Sequence, residues 1–410
     1  MRIGIVATRL SGTDGVSLEV AKWVQVLQGL GHDIYYCAGE LSGYAAEGTL
    51  VPRMHFNEPF ILSLTKATFN KGTVLPPGKI MEEIDQVAAE LKTALLDFIR
   101  ENKIELLIVQ NVLAIPMNLP LAKAVSEVIT ESALPAIAHH HDYYWERERF
   151  QTNLLPDFLE TYFPSDLPNI RHVSINSIAQ RRLKQRRGID SIVIPNVIDF
   201  DQLDVQTDDR GHSFKKALGL AQDEPLIVQP TRVIQRKGIE LAIELLSRMA
   251  LAEPKLYITH AAGDEGLDYW HWLQHESEMM GVSLQLVDRL VQDHNATETF
   301  SLGDMYREAN LVTYPSTYEG FGNALVEAVY YKCPVVVNRY PVYNSDIRPL
   351  GFQFIELDGF VSDDAVNMAD QIIYSPALAR DMIENNYAIA KRHFSMQVLK
   401  QKLIQVLASI

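Results

Sequence analysis

Apolar positions along the first half of the chain alternate between two rhythms. Arg2-Thr8 is a short, nearly continuous apolar run of strand type, and Val16-Leu30 recurs at three-to-four spacing through Val20, Trp23, Val24, Leu27 and Leu30 before Gly31 closes it. Asp33-Ala38 supplies the next strand. Gly39-Gly78 has no clean period and reads as irregular, after which Ile80-Glu101 reads as a helix, Ile104-Gln110 as a strand, Leu119-Ser132 as a helix and Ala136-His140 as a strand. Arg171-Ile175, a helix through Arg187 and Ser191-Ile194 finish this series. Pro195-Arg210, rich in Asp and without periodicity, then reads as a passage between domains.

A second series repeats the alternation. Strands are expected at Leu226-Gln229, Leu256-Thr259, Leu284-Val287, Leu311-Tyr314 and Pro334-Asn338. Helices are expected at Ile239-Ala250, near Asp304-Ala309 and at Gly322-Tyr331, and Ser362-Ile410 is mostly helical. Strands alternating with helices give an α/β fold with two doubly wound, Rossmann-like parallel sheets. Ligands are then expected outside the carboxyl ends of the strands, in a cleft between the domains.

Composition narrows the function classes. The 410 residues are 47% hydrophobic and 22% charged, which excludes wholesale disorder. A net charge of −15 opposes general attachment to nucleic acid or anionic lipid, so an anionic ligand needs a local basic site. Only Cys37 and Cys333 are present, which excludes a disulfide framework and favours a reducing compartment. The first apolar run is too short for a signal peptide and no window approaches 18 uninterrupted apolar residues, so a soluble cytoplasmic protein is expected. Arg181-Arg187, RRLKQRR, is either a solvated helix face or a docking surface for an acidic partner or membrane.

Several turns carry candidate chemistry. Ser11-Gly12-Thr13-Asp14-Gly15 joins the first strand to the first helix and is either an ordinary tight turn or a place where amides approach a ligand; it lacks the third glycine of a dinucleotide fingerprint. His139-His140-His141-Asp142 ends a strand. Adjacent strand residues face opposite sides, so the three histidines cannot all reach one tetrahedral ion, and His141 is either a core histidine or a site residue. Arg232 and Lys237, in the loop from Gln229 to Gly238, offer a fork and a point charge suited to a diphosphate, unless they are ordinary surface charge. The run from Pro315 to Ala328 contains Glu319, Gly320, Phe321, Gly322, Asn323, Ala324 and Glu327, and a helix starting near Gly322 makes an anion site of its leading amides.

These residues, in this order along the whole chain, together with VIPNVID at 193–199, resemble a family-4 retaining glycosyltransferase of GT-B fold. The stretch YEGFGNALVEA carries most of the specificity. The resemblance implies that Arg232 and Lys237 hold the diphosphate of a nucleotide-sugar donor, that Glu319 contacts the transferred sugar and that Glu327 holds the ribose. By the same resemblance Gly15 and the backbone of Phe321, Gly322, Asn323 and Ala324 belong to the donor site, and His141 lines the reaction centre. It also implies an acceptor-side domain at 1–197, a donor-side domain at 198–394, and a terminal helix at about 395–410 crossing back to the first.

The chain departs from that family where Asp14-Gly15 replaces a Gly-Gly pair and where Val197 follows Pro195-Asn196 in place of glycine. Asp14 would repel phosphate, so with Asp142 and Arg147 it is assigned to the acceptor. Arg53 and Arg149 are further cations that either meet an acidic acceptor or lie in solvent. The opening segment and HDYYWER are most similar to family members that transfer mannose from GDP-mannose to glucosylglycerate. UDP-glucose enzymes of sucrose-phosphate-synthase type, lipid or polysaccharide glycosyltransferases, a GT-B phosphorylase or sugar-nucleotide epimerase, and a silent sugar-nucleotide-binding protein remain the alternatives. No dedicated metal site is expected, Mg being at most a stimulant, and Asp199-Phe200-Asp201 is a weak candidate for one. No nucleic acid or membrane partner is expected, and oligomerisation is left open.

Overall fold

A computed structural model describes residues 1–12, 15–69, 75–201, 210–262, 266–291 and 300–410. Its strands are β1 (Arg2–Ala7), β2 (Asp33–Ala38), β3 (Thr49–Leu50), β4 (Leu106–Gln110), β5 (Ala136–His140), β6 (Ile170–Ser174) and β7 (Ser191–Val193) in one sheet. A second sheet holds β8 (Ile227–Arg232), β9 (Lys255–His260), β10 (Ser283–Leu286), β11 (Leu311–Tyr314), β12 (Val335–Asn338) and β13 (Ile355–Leu357). The orders are β3-β2-β1-β4-β5-β6-β7 and β10-β9-β8-β11-β12-β13, and every pairing is parallel. Parallel strands need crossovers, and helices on both sheet faces leave the central strands continuously apolar, which is why LLIVQ and AIAHH are buried throughout.

The chain divides into two compact units. The first comprises Met1–Val197 with Met396–Ile410, and the second comprises Ile198–Ser395. The terminal helix Met396–Leu407 places Leu399, Leu403 and Val406 against Val20, Trp23, Val24 and Leu27 of the helix Gly15–Gly29. Each of those three leucine or valine side chains is fully buried, worth about 1.5–3 kcal/mol apiece by area. Cys37 and Cys333 are buried and free, one in each unit, and burial pushes both thiols up to about 12.

One segment differs from its sequence expectation. Within Gly39–Gly78 lie β3, a short turn at Pro52–Met54 and the helix Pro59–Phe69, whose Ile61, Leu64 and Ala67 join the first unit's core. The helix is only three turns long and is flanked by a short turn, so its period is too brief to emerge from the sequence. Helices Pro156–Tyr162 and Asp268–Met279 and the edge strand β13 likewise have no counterpart in the sequence expectation, being short or weakly amphipathic. The segments 70–74 and 202–209, which fall within the expected irregular stretch and passage, lie outside the described residues. Val197 is buried in the first unit's core and its carbonyl accepts from the Lys22 ammonium, which also binds the buried Glu19 carboxylate at 2.9 Å. An apolar side chain there therefore packs where a glycine would leave a void.

Asn118 shows how the loops are tied. It caps the helix Leu119–Ser132 by accepting from Leu121 N at 3.0 Å, and its amide donates to the carbonyls of Arg53 at 2.9 Å and Met54 at 3.1 Å. Asn118→Ala removes a cap and strands buried carbonyls, so a loss of about 2–4 kcal/mol in denaturant unfolding of the first unit is expected.

Candidate active site

In the second sheet the strand order reverses between β8 and β11, so the loops leaving these neighbours emerge together. The loop from β8 ends in the turn Gln235–Lys237 and Gly238, whose φ is +60°. A Cβ at Gly238 would strike the Pro315 carbonyl of the other loop, so only glycine allows this approach. Thr317 then donates from its amide and hydroxyl to the Arg236 carbonyl, at 2.8 and 3.2 Å. Beneath them the buried Gln229 of β8 accepts from Thr313 Oγ1 at 2.6 Å and donates to the Lys237 carbonyl at 3.4 Å. The backbone is thus fixed before any charge is considered.

The charges converge on Glu319, which is 8% exposed. Lys237 Nζ binds Glu319 Oε1, Arg236 Nη1 donates to Oε2 at 3.0 Å, and the Lys237 ammonium lies 5.6 Å above the Tyr314 ring. Burial alone would raise the Glu319 carboxyl, but the Lys237 and Arg236 charges outweigh it and hold it below the usual carboxylate range. Burial lowers the Lys237 ammonium, Glu319 opposes that, and the charges of Arg236 and Arg232 add to it. Arg232 is exposed at the end of β8, within electrostatic reach of Lys237. Arg236, Lys237 and Arg232 thus gather near the Glu319 carboxylate in an otherwise acidic chain.

The helix Asn323–Tyr330 starts beside this cluster in sequence. Gly322, at φ +121°, precedes it, and Tyr340 donates to the Phe321 carbonyl at 2.8 Å where a Cβ on Gly322 would collide with that hydroxyl. The Phe321 side chain is buried against Phe394, so only its backbone can meet a ligand. Leu325 and Val326 donate to the Gly322 carbonyl, at 3.0 and 3.2 Å, and Asn323 and Ala324 are the first two residues of the helix. Glu327 is one turn on and accepts from the buried Tyr306 hydroxyl at 3.4 Å.

In the first sheet the order reverses between β1 and β4. Gly15 opens the helix Gly15–Gly29, and Asp14 lies outside the described residues. His139 and His140 are buried core histidines. His139 Nδ1 lies 3.0 Å from Gln110 Oε1 with its ring stacked on Trp23, and His140 Nε2 lies 2.9 Å from His172 Nδ1. Burial pushes both well below the ordinary histidine range. His141 is half-buried beyond the strand end, its amide donating to Asn111 Oδ1 at 3.1 Å, while Asp142 accepts from Asn111 and pairs with Arg147.

Other sequence candidates are engaged elsewhere. Arg53 pairs with Glu90 and Arg149 lies over Phe150. Asp201 binds Lys391 at 2.7 Å, Asp199 accepts from the Asp201 amide at 3.1 Å and Phe200 is buried, so this triplet is a turn. In RRLKQRR, Arg182 pairs with Glu146, Lys184 with Asp190 and Arg187 with Glu160, while Arg186 lies over Trp145 and Arg181 donates to Ser177. These basic side chains tie down their own helix. Among the described residues no group of three His, Cys, Asp or Glu side chains is placed to hold a metal ion, and no helix is long and apolar enough to cross a membrane. Sequence reasoning missed Arg236, Gln229 and Asn111. Arg236 sits directly beside Lys237, but its direction depends on the single turn Gln235–Lys237.

Glu319→Gln leaves two cations without their counter-charge, and a stability loss of about 3–5 kcal/mol is expected. Because the folded Glu319 carboxyl is held below its unfolded value of 4.5, its contribution is full above pH 4.5 and disappears as pH falls through the folded value. Denaturant unfolding of wild type and variant should therefore differ at pH 7 and converge under strongly acidic conditions.

Residues 212–389 match the family model "Glycosyl transferases group 1". A mannosylglucosylglycerate synthase of Thermotoga maritima is 32% identical, with 98% of this chain and 99% of that protein covered. One of Petrotoga mobilis is also 32% identical, over 87% of this chain and 86% of that protein. Solved structures with the same fold include sucrose-phosphate synthase of Thermosynechococcus elongatus, at TM-score 0.70 and 13% identity over 100% of this chain and 98% of that one. Anabaena HepE in complex with UDP-glucose follows at TM-score 0.67 and 14% identity, with 100% of both chains covered. Two Rossmann-like parallel-sheet units and near-complete matches at this identity assign the chain to the group 1 glycosyl transferases of GT-B fold.

Proposed function

We propose that the chain is a retaining hexosyltransferase that moves mannose from GDP-mannose to a hydroxyl of glucosylglycerate. The observation that carries the transferase chemistry is the Glu319 cluster, with Lys237 and Arg236 bound to it and Arg232 near Lys237, and the N-terminus of the helix that bears Glu327. The two relatives named mannosylglucosylglycerate synthase, matched over most of their length, support mannose as the transferred sugar and glucosylglycerate as the acceptor.

On this reading Arg232, Arg236 and Lys237 take the donor diphosphate with the amides of Asn323 and Ala324 and the backbone of Phe321 and Gly322. Gly15 supplies a further amide, and Glu327 accepts from the ribose hydroxyls. The bond between the anomeric carbon and the diphosphate oxygen breaks, the acceptor oxygen bonds to the same face, and the acceptor proton passes to the departing oxygen. Negative charge grows on the diphosphate as this happens, and each well-aimed donor is worth about 10²–10³ in rate. Glu319 orients the sugar and keeps its two cations in place. His141, Asp142, Arg147 and Asp14 receive the acceptor. The proposed setting is the cytoplasm, where free thiols such as Cys37 and Cys333 stay reduced.

Mass spectrometry of a donor-by-acceptor panel tests the assignment. GDP-mannose with glucosylglycerate should give the mannosylated acid, with the α configuration retained by NMR, and Arg232→Ala should lower turnover by about 10²-fold or more. Exclusive use of UDP-glucose, a lipid-linked product or an inverted centre would overturn it.

A further inference from the structure

Four described non-glycine residues have positive φ: Lys103, Asn111, Ala133 and Lys332. Lys103 and Ala133 are the left-handed caps that end the helices Pro77–Asn102 and Leu119–Ser132, and Lys332 follows the end of Asn323–Tyr330. Asn111, at φ +59°, ends no helix. It follows β4 directly, at the point where the first sheet reverses its strand order. Left-handed strain at a non-glycine residue persists where the surroundings over-determine it, and asparagine bears it better than most side chains.

The surroundings of Asn111 all concern the end of β5. Its own amide donates to the His139 carbonyl at 2.8 Å. Its side-chain oxygen accepts from the His141 amide at 3.1 Å, and its side-chain nitrogen donates to Asp142 Oδ1 at 3.3 Å. The second Asp142 oxygen is taken by Arg147. The Asn111 carbonyl receives the amides of Ala114 and Ile115, at 3.3 and 3.4 Å, which anchors the clamp to the next turn. The position demands three properties at once: left-handed backbone, an acceptor facing one residue and a donor facing the next. Glycine meets only the first, and aspartate lacks the donor.

We infer that Asn111 is a positioning residue, a clamp that sets the backbone of His141 and the carboxylate of Asp142 toward the acceptor hydroxyl. The inference rests on the proposed reading of His141 and Asp142 as acceptor-side groups. The hydrogen bonds of Asn111 all lie within the first unit, whereas Arg232, Arg236 and Lys237, the cations proposed for the diphosphate, belong to the second.

Asn111→Gly relieves the strain and removes the clamp. Its Tm is expected within a few degrees of wild type, while kcat falls about 10–100-fold and the donor KM is unchanged. Asn111→Asp retains the acceptor for the His141 amide but sets a carboxylate against Asp142. Among the described residues, the charged or titratable groups around that pair include Arg147, Glu146, His139, His140 and His141. Two carboxylates this near share a proton on acidification, so Asn111→Asp should be less active than Asn111→Gly at pH 8 and recover relative to it toward pH 5.5. Wild-type kcat in Asn111→Gly, or activity in both variants falling only in step with the folded fraction, would overturn the clamp. A wild-type chain that transfers from no nucleotide sugar in the same assay would overturn the underlying reading, and the clamp with it.

Discussion

The second unit is organised around the cost of keeping a carboxylate out of water. Glu319 is buried at the end of a loop, and a charge there survives only with opposite charges against it. Lys237 and Arg236 meet that demand from a different loop, so the two must be joined accurately enough for both oxygens of Glu319 to be taken. The left-handed Gly238, the Thr317 bonds to the Arg236 carbonyl and the buried Gln229 all follow from this requirement. The parallel pairing of β8 with β11 supplies the starting geometry, because adjacent parallel strands release their loops side by side at the same sheet edge.

The first unit meets a similar demand for order by different means. Among the described residues its reversal point, between β1 and β4, carries no buried carboxylate cluster but a strained asparagine that spends every polar atom on neighbouring chain. Below it, His139 and His140 are held neutral in the core, with Gln110, Trp23 and His172 around them. Only the half-buried His141 stands beyond the strand. Neutral side chains thus pack beneath the polar His141 and Asp142 at the strand end.

Parallel sheets were the legible part of the sequence. Runs such as LLIVQ, AIAHH and VVVN are apolar because both faces are covered, and helices with several turns, such as Val16-Leu30, declare their period. The helix Pro59–Phe69 was not legible, since its three turns lie among short turns that hide its period. The stretch from Pro315 to Ala328 drew attention to Glu319 and Glu327 through its loop-to-helix setting. Arg236 could not be separated from Arg232 by spacing, because the direction of a side chain within one tight turn depends on which carbonyl the turn closes upon. Asn111 gave no signal, since strain is a property of backbone angles and any residue letter is compatible with it until the chain is folded.

The terminal helix gives the polypeptide a round trip. The first unit is built from Met1–Val197 and Met396–Ile410, so the whole second unit is an insertion within it. The outgoing and returning passages are bonded to each other, Ile198 N donating to the Phe394 carbonyl at 2.8 Å beside the bridge from Ile198 to Ser395. During synthesis the first unit emerges early yet lacks Leu399, Leu403 and Val406 until the segment that follows the second unit has been made. The second unit can close while its host is still open along the helix Gly15–Gly29. Chain order thus delivers every residue of the second unit before the last helix of its host.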